Sequence, residues 1–397
     1  MIGISKLYCG AVEPADVLRY NRESGKLPSE LLQFSRDKKP VVVWNCTQTC
    51  NLRCVHCYAG SECKSYEGEM SSGEAKAMID DLSAFGAPVL LFSGGEPCMR
   101  EDVVELMQHA KDRGMRVVLS TNGTLITPEL AALRRRGAFV RGRVARWRAR
   151  RTTSSAACPA VSTAPSRACA TRRRRASRWP AHTVNKRNWR EIGDVFDIME
   201  AEGVKRACFY HLVYTGRGSA LMDEDLDHAE TRAAVRLIMD RTRDWFDRGG
   251  SPEILTVDNH ADGPFVYLEL LRENPARAEE VLQLLQWNRG NSTGAGIGCV
   301  SWDGEVYADQ FWRHFPLGNV RERTFSEIWG DTSRATEQSE LMFRLKDKRP
   351  FVKGRCQQCR WLDICNGNFR VRSEAATGDL WGPDPACYLT DEEIGVA

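Results

Sequence analysis

Fifteen cysteines are spread over 397 residues, and two groups of them have spacings that could do chemistry. Cys50-Asn-Leu-Arg-Cys54-Val-His-Cys57-Tyr58 brings three thiols into one short stretch. Thiolates at x3 and x2 spacing can ligate three irons of a cubane cluster and leave the fourth iron without a protein ligand. That vacant corner is what makes such a cluster reactive. A structural zinc ion would need a fourth ligand, and Cys46 or His56 could be recruited. The second group is Cys356-x2-Cys359-x5-Cys365, joined after 21 residues by Cys387. Four thiols close a site, as a fully ligated cluster or as a zinc ribbon. The chain opens Met1-Ile-Gly-Ile-Ser-Lys-Leu-Tyr, without the basic end and apolar stretch of a signal peptide. With an odd cysteine count, this favours metal or redox chemistry over a disulfide framework and sets the expectation of a cytoplasmic protein. No apolar run approaches the length of a membrane span, so no membrane partner is expected.

The elements that must position these thiols alternate between strand and helix. Pro40-Val-Val-Val-Trp-Asn45 reads as a buried parallel strand running straight into the first cysteine group. Ser71 and Glu74 form a capping-box pattern that opens a helix with Ala75, Met78, Ile79 and Leu82 on one face. Pro88 to Ser93 is a second strand, ended by Gly94-Gly95-Glu96-Pro97. A helix over Glu101 to Arg113 leads to a third strand, Met115 to Ser120, followed by Asn122-Gly123. Thr127-Pro128-Glu129 starts another helix. Three such units imply a parallel sheet or barrel with its chemistry at the C-terminal strand ends. Further on, Trp189 to Ala201 reads as an amphipathic helix, Arg206 to Tyr214 as a strand, Asp225 to Phe246 as a helix and Ile254 to Asp258 as a strand.

One window breaks the pattern. Of the 45 residues from Gly137 to Ala181, 35 are Ala, Arg, Ser, Thr or Pro, and no periodicity is visible. Between Leu130 and Arg190 there is no acid against seventeen Arg and one Lys, a charge of +18. The chain as a whole carries +3, which leaves −15 on the other 336 residues. A basic nucleic-acid-binding insert or a solvated linker would have such a composition. The abrupt return to normal patterning at Thr183 favours a third origin, out-of-frame translation of a GC-rich gene, with the lost residues matching one αβ pair and a strand in length.

C-x3-C-x2-C-aromatic after the first strand, with Gly94-Gly95-Glu96-Pro97 after the second, resembles the radical S-adenosylmethionine (SAM) superfamily. The resemblance implies an α/β fold: a partial (β/α)6 TIM-like barrel with a small C-terminal cysteine-rich domain. It implies that Cys50, Cys54 and Cys57 hold a [4Fe–4S] cluster whose open iron chelates the methionine end of SAM. Electron transfer from a flavodoxin or ferredoxin would then release a 5′-deoxyadenosyl radical. Tyr58 is placed near the adenine, and Gly94, Gly95, Glu96 and Pro97 at the methionine ammonium. The glycines would let the backbone approach closely, and Glu96 would add negative charge. Ser120 and Asn122 match positions that meet the ribose or carboxylate. The tail resembles a SPASM or Twitch domain, with Cys356, Cys359, Cys365 and Cys387 around one auxiliary [4Fe–4S] cluster. A full SPASM domain has a further cysteine where Phe369 stands, and Cys299 resembles an upstream ligand. The domains expected are an N-terminal extension (1–37), a radical SAM core (38–260, anomalous at 137–181) and an auxiliary-cluster domain (261–397).

Four stretches resemble a narrower, tetrapyrrole-modifying group: the N-terminal decapeptide, Phe209 to Gly218, Gly298 to Val306 and Trp361 to Arg370. This group serves siroheme-dependent haem synthesis and haem d1 synthesis. The N-terminal decapeptide favours the haem branch, which implies loss of two acetate side chains from didecarboxysiroheme, giving iron-coproporphyrin; a haem d1 synthesis enzyme acting on the same precursor is the alternative within the group. Such a flat polycarboxylate would be met by cations and rings, for which His211, Arg217, Arg313 and His314 are candidates; no catalytic residue is assigned. Two alternatives differ in class. A SPASM-type peptide maturase would need a precursor-recognition module, which the first 37 residues do not show. A basic RNA-binding protein with zinc sites would be colourless and bind in a steeply salt-dependent way. The cysteine pattern favours the enzyme, with no nucleic-acid partner.

Overall fold

The computed structural model describes residues 1–11, 39–126, 139–142 and 181–396. In chain order the strands are β1 (Ile2–Gly3), β2 (Val41–Thr47), β3 (Val89–Gly94), β4 (Arg116–Thr121), β5 (Phe139–Gly142), β6 (Ala181–Thr183), β7 (Arg206–Tyr210), β8 (Glu253–Val257), β9 (Ile297–Val300), β10 (Glu305–Tyr307) and β11 (Gly318–Asn319). Among the helices are α1 (Ile4–Cys9), α2 (Ser72–Phe85), α3 (Val103–Asp112), α4 (Ile192–Ala201), α5 (His228–Asp247), α6 (Asp262–Glu273) and α7 (Pro275–Asn288). The helix expected from Thr127, and most of the anomalous window, lie outside the described residues.

Two compact units share the chain. One comprises Arg36–Arg178 and Thr293–Lys346. Its seven strands run in the order β11-β10-β9-β2-β3-β4-β5, and β9 through β5 are mutually parallel. β2 is central, and from Val42 to Thr47 every residue is buried, as expected of a strand covered on both faces. The β2–β3 register shifts between Asn45 and Thr47, so Cys46 forms a bulge that turns the strand end into the cysteine loop. Ser71 and Glu74 make the expected reciprocal cap on α2, which buries Ala75, Met78, Ile79 and Leu82.

The other unit comprises Met1–Ser35, Trp179–Ser292 and Asp347–Ala397. Its sheet runs β1-β8-β7-β6, with β6, β7 and β8 parallel and β1 antiparallel at the edge. A unit boundary between Ser35 and Arg36 lies beside the expected one at 37, and residue 260 falls inside this second unit. Ile2, Ile4 and Leu7 are buried in the same core as Phe196, Phe209 and Phe265. Ile254 also donates its backbone N–H to Ser5 Oγ at 2.7 Å. The apolar N-terminus thus completes a sheet edge and packs into this core. Tail residues Trp361, Ile364 and Tyr388 enter that core too. Among the described residues no helix is long and apolar enough to cross a membrane.

Candidate active site

The loop leaving β2 is held by backbone contacts from both sides. Cys50 N–H donates to the Glu62 carbonyl at 3.0 Å, Gly95 N–H to the Thr47 carbonyl at 2.8 Å and Glu96 N–H to the Thr49 carbonyl at 2.9 Å. A Cβ on Gly94 would lie 2.3 Å from the Thr47 oxygen, and one on Gly95 would lie 2.1 Å from the Thr49 oxygen. The glycine pair is thus required by the cysteine loop itself, whatever ligand approaches it. Cys50 and Cys54 are buried and Cys57 half-buried. Burial pushes the Cys50 thiol up to about 11 against a hydrogen bond from Leu52 N–H, and Cys50 lies within electrostatic reach of both Cys54 and Cys57.

Glu96 has no exposed surface. Its Oε1 accepts the Thr121 hydroxyl at 2.6 Å and Cys98 N–H at 3.0 Å, and its Oε2 accepts Asn122 N–H at 2.6 Å. The carboxylate thereby pins the end of β3 to the end of β4. A carboxylate has about four acceptor positions, so the one remaining is all it can offer a ligand. Asn122 donates from Nδ2 to Asn51 Oδ1 at 2.7 Å, and Asn51 donates to Thr124 Oγ1 at 2.8 Å. Asn51, between Cys50 and Leu52, was not marked by any sequence pattern, yet it links the cysteine loop to the β4 turn. Ser120 is half-buried and stands outside this network.

Tyr58 is drawn inward rather than left at the rim. Its hydroxyl donates to Asn45 Oδ1 at 3.0 Å and pairs with Ser93 Oγ at 3.2 Å, while its ring meets Phe311 edge-on at 5.4 Å. Burial raises its phenol above the usual range. Asn45 Nδ2 in turn points at Cys299 Sγ, 3.6 Å away and fully buried on β9. Cys299, similar in sequence to an upstream auxiliary ligand, is structurally a neighbour of the loop through Tyr58. Arg313 donates to Gln48 Oε1 at 3.1 Å and lies 4.6 Å over the Trp302 ring. Gln48 also donates to the Ala59 carbonyl. His314 is exposed and stacks on Trp312, and Arg217 is half-buried in the turn after β7.

In the other unit, Cys356, Cys359, Cys365 and Cys387 line one cavity, together with Pro264, Trp361 and Leu389. Burial pushes the Cys387 thiol up to about 12, and it raises Cys365 further while the other three thiols add to the effect. A Cβ on Gly290 would lie 2.3 Å from the Cys365 carbonyl carbon, and Asn291 N–H donates to the Cys365 carbonyl at 3.1 Å. Phe369 is buried, and His260 stacks on it at 6.0 Å. The position of a further cysteine is therefore core. Behind Cys387, Arg372 and Asp384 form a buried two-pronged pair at 2.8 and 2.9 Å. Among the described residues no three metal-ligating side chains converge on a single-ion site. An iron–sulfur cubane takes one thiolate per iron, so both donor sets, thiols only, suit clusters by their chemistry.

Similarity to known proteins agrees with this geometry. A profile described as radical SAM superfamily matches residues 44–141, and SPASM, an iron-sulfur cluster-binding domain, matches residues 295–360. The chain is 54% identical to the Fe-coproporphyrin III synthase of Methanosarcina barkeri, over 100% of this chain and 99% of that protein. It is 34% identical to the pre-heme d1 synthase of Dinoroseobacter shibae, over 90% and 88% respectively. The crystal structure of native anSMEcpe with bound AdoMet shares the fold, with a TM-score of 0.63 at 18% identity over 87% of this chain and 93% of that one. The radical SAM domain brings a [4Fe–4S] cluster and SAM, and the SPASM domain brings auxiliary iron–sulfur chemistry. The chain belongs to the radical SAM superfamily with a SPASM domain, in the family of haem-biosynthetic enzymes that includes Fe-coproporphyrin III synthase.

Proposed function

We propose that this enzyme removes the acetate side chains of didecarboxysiroheme to give iron-coproporphyrin, in a siroheme-dependent route to haem in the cytoplasm. The observation that carries this is the 54% identity to Fe-coproporphyrin III synthase along the whole chain. Cys50, Cys54 and Cys57 hold the SAM cluster in a core of residues 38–260. Cys356, Cys359, Cys365 and Cys387 hold one auxiliary [4Fe–4S] cluster in residues 261–397. Reductive cleavage of SAM, fed by a flavodoxin or ferredoxin, supplies the 5′-deoxyadenosyl radical.

The chain's own residues orient and enclose. Gly94 and Gly95 let β3 close on the loop, and Glu96 offers its remaining acceptor position to the methionine ammonium. Pro97 opens the short turn that Glu96 caps. Tyr58 would lie near the adenine, and Ser120 and Asn122 would meet the ribose or carboxylate. Arg313, held by Gln48 and the Trp302 face, is a cation pre-set for a substrate carboxylate. Residues 137–181 are out of frame in this reading, and the activity of the chain as it stands is low. Restoring the frame is expected to raise SAM cleavage, and no gain would contradict that origin.

The test is anaerobic. Reconstituted, reduced protein is given SAM and didecarboxysiroheme, and 5′-deoxyadenosine is quantified beside the pigment's mass. The expected result is deoxyadenosine coupled to loss of two acetate groups. Deoxyadenosine that stays uncoupled with every tetrapyrrole would favour a peptide maturase, and colourless zinc protein would overturn the enzyme.

A further inference from the structure

His211 follows directly on β7, and its backbone N–H donates to the Val257 carbonyl at 2.9 Å. Its Nε2 stands 2.9 Å from Asp262 Oδ2 at the start of α6. Asp262 has no exposed surface, and its other oxygen accepts the Tyr388 hydroxyl at 2.8 Å. A second acid, Asp225, held by the Tyr214 hydroxyl at 2.9 Å, lies within electrostatic reach of His211. The His211 side chain keeps 14% of its surface exposed. Its Nδ1 has no hydrogen-bond partner among the described residues.

A neutral ring bonded in this way carries its proton on Nε2 and its lone pair on Nδ1. A buried carboxylate that fixes one ring nitrogen and leaves the other open is the recurrent support of a metal-ligating histidine. It sets the tautomer, holds the ring and raises its basicity. The ring also stands at the C-terminal end of a parallel strand, where β/α folds place their chemistry. Resting on the tetrapyrrole function above, the substrate supplies an iron with four in-plane nitrogens and open axial positions. We propose that His211 is an axial ligand of the substrate's iron through Nδ1, with Asp262 as its positioning residue. The macrocycle is thereby fixed in depth by its centre.

Paired pigments test this in the full reconstituted chain: iron-coproporphyrin III and metal-free coproporphyrin III, followed by affinity and by the ferric absorption and EPR spectra. His211→Ala is expected to weaken the iron pigment about tenfold or more and to leave the metal-free pigment within about twofold. The ferric absorption and EPR spectra of the iron pigment change in His211→Ala, and the change is reversed by adding imidazole. Asp262→Asn keeps the ligand but shifts its spectrum. Equal weakening of both pigments, or an unchanged iron spectrum in His211→Ala, would overturn the ligand assignment and leave the function standing. Failure of both pigments to bind the unaltered chain would overturn the tetrapyrrole function and this inference together.

Discussion

The loop cysteines and the tail cysteines present the same thiol chemistry in opposite surroundings. Around Cys50, Cys54 and Cys57 the neighbours are polar: Asn51, Asn122 and Thr124 form a connected network at the strand ends, and Gln48 holds Arg313. Around Cys356, Cys359, Cys365 and Cys387 the wall is mostly apolar, with Pro264, Trp361 and Leu389, and Arg355, Asn368 and Asp384 also reach it. A site that must admit a charged ligand needs hydrogen-bonding walls, whereas a site whose ligands are complete is better sealed by apolar ones. Both use glycine in the same way. Gly95 against Thr49 and Gly290 against Cys365 each remove a Cβ so that two backbones can touch and hold a ligand loop still.

The comparison breaks most visibly at the thiols. Cys54→Ser should reduce 5′-deoxyadenosine formation to background while the auxiliary iron remains, and iron and sulfide counts beside the activity check it. Loss of iron from both groups would mean that the two are not independent. Next comes Asp384→Asn, which leaves Arg372 buried without its charge partner and should cost about 3–5 kcal/mol. The loss would show as a lower thermal midpoint and release of auxiliary iron. The same pair gives an acid limit. Burial raises the Asp384 carboxyl, but Arg372 brings it below the usual range. Its contribution is therefore complete above the unfolded value of about 3.9 and fades as pH falls through the lower folded value. Gly95→Ala drives a Cβ into the Thr49 carbonyl, an overpacking cost of about 1–3 kcal/mol. It should lower loop-cluster occupancy in reconstitution and leave the tail's unchanged. Smallest is Tyr58→Phe, which leaves Asn45 and Ser93 without the phenol and should cost about 0.5–1.5 kcal/mol with SAM cleavage reduced but present.

Much of the frame was legible because it is local. The apolar runs beginning at Pro40, Pro88 and Met115 are β2, β3 and β4, and the Ser71–Glu74 cap opens α2 as its spacing requires. Local pattern also misled. The run from Arg206 was expected to continue to Tyr214, but β7 stops at Tyr210, because the next residues leave the sheet to place His211 beside Asp262. Long-range pairings leave no such trace. Nothing in the sequence joins Ile2 to Thr256, Asn51 to Asn122 or His211 to Asp262. The role of Gly94-Gly95-Glu96 was legible as a motif but not in its physics. Two glycines accommodate their own neighbouring loop, and a glutamate expected to face a ligand uses most of its capacity to tie two strands together.

The open corner of the loop cluster is most directly tested by EPR of the anaerobically reconstituted and reduced Cys356→Ala/Cys359→Ala protein, in which the loop site stands alone. A [4Fe–4S]⁺ signal that changes when SAM is added, with 5′-deoxyadenosine accumulating, is the predicted result. A signal indifferent to SAM, or zinc in place of iron at Cys50, Cys54 and Cys57, would contradict it.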